Sequence, residues 1–148
     1  MNMMRAAALE QILHTEIPIS RAMGIRVANY DGASLTLDAP LAPNTNHKST
    51  AFGGSLYSLA VLCGWGLLHL KLADSRIHKH IVIQESTIRY LHPVEHDLHA
   101  ECHVDDAAFN RFLLTLKRHG RARISLAAVI THDHLAAVEF SGRYVVHG

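Results

Sequence analysis

Cysteine is scarce in this chain of 148 residues: Cys63 and Cys102 form no C-x-x-C pair, so neither a disulfide framework nor a zinc-binding spacing is present. They read as two free thiols of a reducing cytosol. An excess of either charge is missing too. Fourteen basic and 13 acidic side chains nearly cancel, and only residues 117–123 hint at the basic face that nucleic acid requires. Nucleic acid is therefore set aside as a partner. With 49% apolar and 18% charged residues, the chain is too apolar for disorder. No repeat, low-complexity stretch or interdomain linker interrupts it, and residues 1–148 read as one domain with room for a real core. The opening MNMMRAAALEQILH has neither the apolar stretch nor the cleavage site of an export signal, so a cytoplasmic protein is expected.

The longest apolar run, residues 56–70, is short for a membrane span and contains Ser58, Gly64, Gly66 and His69. It reads as a helix buried in a soluble core, with no membrane partner. Histidine, in contrast, is abundant. Thirteen are present, and the pairs His78/His80, His132/His134 and His99/His103 have spacings that share a strand face. A metal site needs a third converging group and supporting partners, and the spacing shows none, so no metal is expected.

Periodicity supplies the elements. Leu9, Ile12 and Leu13 define a helix over residues 5–15, which Pro18 is expected to stop. Residues 24–30 and 33–39 flank Asp31-Gly32, a hairpin signal whose two turn positions both call for positive φ. After a loop over 40–50, residues 53–73 form a helix apolar nearly all round, which other structure must wrap. Gly64 and Gly66 cost it helix propensity, and a close approach of sheet backbone is the expected compensation. Residues 79–91, 97–104, 121–131 and 135–146 read as strands. A helix carrying Phe109, Phe112, Leu113 and Leu116 is capped by Asp105 or Asp106 and closed by Gly120. Consecutive strands on short connections imply an antiparallel sheet curved around the buried helix, an α+β fold.

The segment Asn46-His-Lys-Ser-Thr-Ala-Phe-Gly-Gly-Ser-Leu-Tyr-Ser-Leu-Ala60, with Ile88-Arg-Tyr-Leu-His-Pro-Val94, resembles the hot-dog-fold acyl-CoA thioesterases. More narrowly, Asn-His-Lys before Thr-Ala-Phe-Gly-Gly-Ser-Leu-Tyr, and the helix ahead of Gly-Arg-Ala-Arg-Ile124, resemble the bacterial YiiD C-terminal-type thioesterases. The resemblance implies a hot-dog domain and a hydrolase acting on acyl-CoA or acyl-carrier-protein thioesters without a cofactor. It also implies a homodimer, or a dimer of dimers, with substrate at the subunit interface.

Thioester hydrolysis needs a polarised carbonyl and a delivered water. The helix start at Gly53 and Gly54 offers unpaired N–H groups and the positive end of the dipole. Related thioesterases carry His-Gly-Gly here, with Asn six residues earlier; in this chain Phe52 stands at the His position and Asn46 at the Asn position. Some relatives draw an acid from the middle of the helix, where this chain has Val61 and no carboxylate at all between Gly53 and Ala73. Glu85, inside the next strand, is the acid chosen instead, ahead of Glu101 and Glu139. Asn46, Gly53, Gly54 and Glu85 are thus the expected catalytic set. His47, Phe52, Ser55, Tyr57, Ser86 and Arg89 are the expected substrate contacts, with Lys117, Arg118, Arg121 and Arg123 as further cations for CoA phosphates. The alternatives are a non-catalytic acyl-CoA or fatty-acid binder and, behind it, a hydroxyacyl-thioester dehydratase.

Overall fold

A computed structural model describes residues 3–148. In chain order the elements are α1 (Met3–Glu16), α2 (Pro18–Ala22), β1 (Arg26–Tyr30), β2 (Ser34–Ala39), a single 3-10 turn at Ala42–Asn44, and α3 (Gly53–Asp74). There follow β3 (His80–Tyr90), β4 (Leu98–His103), α4 (Asp106–His119), β5 (Ala122–His132) and β6 (Leu135–His147). The six strands form one antiparallel sheet in the order β1-β2-β4-β5-β6-β3. Its inner face wraps α3, as the resemblance led one to expect. Strict alternation on β5 points Ala122, Ile124, Leu126, Ala128 and Ile130 inward, all buried, while Val138, Phe140, Tyr144 and Val146 of β6 join them.

Helix α3 is 22 residues long, six hydrogen-bonded turns whose most apolar stretch is 61% buried inside the fold. By length it could cross a bilayer, contrary to the reading of a run too short to do so; the sheet covers it instead. Its glycines are accounted for by side chains rather than by sheet backbone. A Cβ on Gly64 would strike the Tyr144 ring and hydroxyl, and one on Gly66 would meet Leu35 at 2.8 Å and Leu9 at 3.1 Å. The Tyr144 hydroxyl uses the space to donate to the Val61 carbonyl at 2.7 Å.

Two local expectations are revised. Pro18 does not merely end α1: it sits at the first turn of α2, where a missing N–H costs nothing. The β1–β2 connection has three residues, and only Gly32 takes positive φ (94°). Asp31 stays in ordinary backbone space and organises the turn by accepting from the Ala33 and Ser34 N–H groups at 2.9 and 2.7 Å. The two thiols are free and buried, as expected, and burial pushes both up, Cys102 to about 12. The caps of α4 are as expected: Asp105 accepts from Ala107 N at 2.7 Å, and Gly120 closes the helix at φ 73°.

Candidate active site

The loop before α3 is built by two asparagines. Asn44, fully buried and not singled out from the sequence, donates from Nδ2 to the Met23 and Pro40 carbonyls at 2.8 and 2.7 Å, while its carbonyl accepts the Phe52 N–H at 2.7 Å. Asn46 organises the next turn. Its Oδ1 accepts from Lys48 N at 2.8 Å and Thr50 N at 3.2 Å, and its Nδ2 donates to Thr50 Oγ1 at 2.9 Å. Both side-chain atoms of Asn46 are therefore engaged within the loop. His47 sits exposed at the loop tip, apart from the glycines.

Phe52 is the N-cap residue of α3 and offers no side-chain cap. Leu56 N is the first to bond back, to the Phe52 carbonyl at 3.0 Å. The N–H groups of Gly53, Gly54 and Ser55 thus precede the helical hydrogen-bond ladder, aligned with the positive end of a six-turn helix. The Phe52 ring, 55% exposed, folds over Gly54 so closely that a Cβ there would overlap it. Tyr90, at the end of β3, packs its ring 3.5 Å from where a Gly53 Cβ would stand and donates to the Gly53 carbonyl at 2.9 Å. One turn into the helix, the Tyr57 hydroxyl pairs with Ser86 Oγ at 2.5 Å, and its ring meets Phe140 edge-on at 5.9 Å. These groups line a groove between α3 and β3. Along it Tyr57, Ser58, Val61, Trp65 and His69 stay half-exposed, because β3 is the last strand of the sheet.

Glu85 and Arg89 are not in that groove. Ile81 and Ile83 face inward, and unbroken alternation would carry Glu85 in with them. A β-bulge between Ile83 and Glu85 shifts the phase by one residue. Ser86, opposite Gly142, then faces the helix, and Glu85 turns outward to pair with Arg143 at 3.1 Å. Arg89 follows on the outer face, 3.6 Å from Glu139. Glu101 and Glu139 also occupy exposed, outward strand positions. The groove therefore brings together Phe52, Gly53, Gly54, Ser55, Tyr57 and Ser86 of the expected set. It adds Tyr90, which the in-phase positions 86, 88 and 90 would have identified had the bulge been legible.

Comparison with known proteins places the chain as a whole. Residues 6–148 match the family described as "Putative thioesterase (yiiD_Cterm)". The chain belongs to this family. A hot-dog-fold "putative thioesterase" from Shewanella oneidensis is 31% identical, with a TM-score of 0.90 over 97% of this chain and 98% of its own. A protein of unknown function from Chlorobaculum tepidum is 38% identical, with a TM-score of 0.93 over 96% of this chain and 93% of its own. A mutant thioesterase from Pseudomonas aeruginosa, at 16% identity and TM-score 0.73 over 96% of this chain and 93% of its own, shares the fold. For a member of this family with a hot-dog domain, a thioesterase-type activity is the supported reading.

At the opposite end of α3 lies a hollow of about 550 Å³, bounded by Trp65, His69, Ile77, Ile81, Val82 and Gly148 among others. His69 stacks on Trp65 with centroids 5.1 Å apart and planes 10° from parallel. Burial lowers its pKa below the ordinary 6.5, an effect that Glu16 opposes and His78 reinforces. Trp65 is itself fixed by donating Nε1–H to the Ile81 carbonyl at 3.1 Å.

Proposed function

We propose that this protein hydrolyses acyl thioesters of CoA or acyl-carrier protein in the groove between α3 and β3. The observation that carries the reading is the uncapped start of α3, whose Gly53, Gly54 and Ser55 N–H groups precede the helical hydrogen-bond ladder next to the half-exposed seam of α3 and β3. The thioester carbonyl oxygen accepts from these groups, and the negative charge of the tetrahedral intermediate is stabilised where the helix dipole is most positive. The Tyr57–Ser86 hydroxyl pair holds the attacking water. As the intermediate collapses, the C–S bond breaks and the thiolate leaves with the bonding electrons. A free thiol's pKa near 8.5 makes it a competent leaving group without a general acid, and the water's proton passes to solvent. Phe52 covers the acyl side, in place of the polar residue found in relatives. Asn46 shapes the loop that positions the glycines.

The groove is open on the side where the sheet ends. The free edge there is β3, eleven residues long and carrying Val82 and Tyr90 at 48% and 52% exposure. Such an edge is a template for strand pairing. Antiparallel pairing of β3 with β3 of a second copy would close both grooves and place each at a subunit interface, in a homodimer or dimer of dimers. Two buried, unbridged thiols fit a cytoplasmic location.

Gly53→Pro tests the oxyanion role. Proline is favoured at the first helical position, Phe52 before it has the extended ψ of 133° that proline demands, and the site leaves room for a Cβ. The substitution deletes one N–H and sets the new ring beside Tyr90, whose atoms stand 3.5 Å from the added Cβ. Against a panel of acyl-CoA esters with free thiol as readout, kcat is expected to fall about 10²–10³-fold while the melting temperature holds or rises. Undiminished turnover in this variant would refute the role.

A second reading, a non-catalytic acyl-CoA or fatty-acid binder, draws on one observation: the three strand glutamates Glu85, Glu101 and Glu139 all lie outside the groove. Thermal stabilisation of the wild-type chain by acyl-CoA with no thiol release at any chain length would establish it in place of hydrolysis.

A further inference from the structure

We infer that His96, His132 and Asp133 form a binding site for a divalent transition-metal ion of the zinc class, separate from the groove at Gly53. None of the three was paired with the others by spacing, because they come from two connections far apart in the chain. His96 lies on the link from β3 to β4, His132 ends β5, and Asp133 opens the turn to β6. Folding brings one ligating atom from each to within 4.8 Å of the others. His96 Nε2 is 3.8 Å from Asp133 Oδ1, and His132 Nε2 is 3.6 Å from Asp133 Oδ2. The two imidazole centroids are 4.7 Å apart. Nitrogen and oxygen ligands on a tetrahedral zinc ion stand about 3.3 Å from one another, so the donors are within a few tenths of an ångström to about 1.5 Å of a working arrangement.

The donor set selects the ion. Two imidazoles and a carboxylate suit Zn²⁺, Co²⁺ or Ni²⁺, whereas Mg²⁺ and Ca²⁺ prefer all-oxygen shells. His99 and His134 border the same hollow of about 250 Å³ and can complete or flank the sphere. The β5–β6 connection is a tight two-residue turn, Asp133 and His134, which sets Asp133 beside His96 and His132. An ion held here would tie the β5–β6 turn to residues 91–97, whose Val94 carbonyl accepts the Ala51 N–H at 2.8 Å just ahead of α3.

The test is calorimetric titration of the full chain, carrying no added histidine tag, with ZnCl₂, NiCl₂ and MgCl₂. One saturable equivalent of Zn²⁺ and of Ni²⁺ at micromolar affinity is expected, with no response to Mg²⁺. At a hundredfold excess over Kd, the melting temperature should rise by about 5–10 °C. His96→Gln and Asp133→Asn, both exposed substitutions, should each weaken binding about tenfold or more with the circular dichroism spectrum unchanged. The double variant His78→Gln/His80→Gln should bind as the wild type does. Absence of saturable Zn²⁺ binding overturns the inference. So does binding that survives His96→Gln combined with Asp133→Asn, or binding abolished by the His78/His80 changes. The readout is independent of thioester turnover.

Discussion

Gly64→Ala sets two well-known effects against each other and lets the structure decide the sign. On helix propensity alone, replacing a mid-helix glycine by alanine stabilises by about 1 kcal/mol. In α3 the new Cβ would fall onto the Tyr144 ring, with the ring's Cζ and Cε2 atoms at 2.7 and 2.9 Å and the hydroxyl closer still. Tyr144 is fully buried, so its ring cannot swing into solvent. Its hydroxyl donates to the Val61 carbonyl, lodging against the helix's own ladder. Burial has also raised its pKa strongly, which keeps it a donor at any working pH. Overpacking a core site costs about 1–3 kcal/mol, and disturbing the hydrogen bond adds about 1 kcal/mol. After the propensity gain is subtracted, Gly64→Ala should destabilise by about 1–3 kcal/mol, which lowers the melting temperature by roughly 3–10 °C for a chain of this length. Urea denaturation at one fixed protein concentration measures it, since any self-association would make the midpoint concentration-dependent. A stabilised Gly64→Ala variant would refute the packing argument outright.

Three further outcomes are expected. Tyr57→Phe removes one half of the hydroxyl pair with Ser86, so kcat on the best acyl-CoA should fall about 10²-fold, with KM changed much less, as steady-state kinetics would show. Glu85→Gln should leave kcat/KM within about twofold and stability within about 1 kcal/mol, because it breaks only an exposed pair with Arg143; a large loss of turnover would return the carboxylate to the mechanism. The lowered pKa of His69 means that the unfolded chain binds the proton more readily than the folded one. Stability should therefore be full above the ordinary imidazole value of 6.5 and decline as pH falls below it, and His69→Phe should flatten that part of the stability profile measured by denaturation from pH 5 to 8.

Period and punctuation made most of the architecture legible. The all-round apolar run at 53–73 demanded a wrapping sheet, and Asp105 with Gly120 marked both ends of α4. The even alternation of β5 names its buried face. The glycine pair at the helix start was legible for the same reason, since local chain geometry is written in local residues. Glu85 was read differently from its place in the fold because facing depends on counting by twos, and a single bulge at Ile83/Glu85 reverses the count without any residue that marks it. Asn46 looked like a donor to substrate, but its amide is consumed by Thr50, Lys48 and the turn they form.

What the sequence determined by itself, then, is everything carried by near neighbours: helix and strand periods, caps, turn residues, the free N–H groups at Gly53 and Gly54, and the absence of an acid between Gly53 and Ala73. The tertiary structure alone decided which side chains meet. Strand pairing set Ser86 against Tyr57 and turned Glu85 to Arg143. Loop convergence set His96 beside His132 and Asp133. Side-chain packing put Tyr144 into the gap left by Gly64. Each of these contacts joins residues far apart in the chain, and their register is fixed by the closing of the whole sheet around α3 rather than by any local propensity.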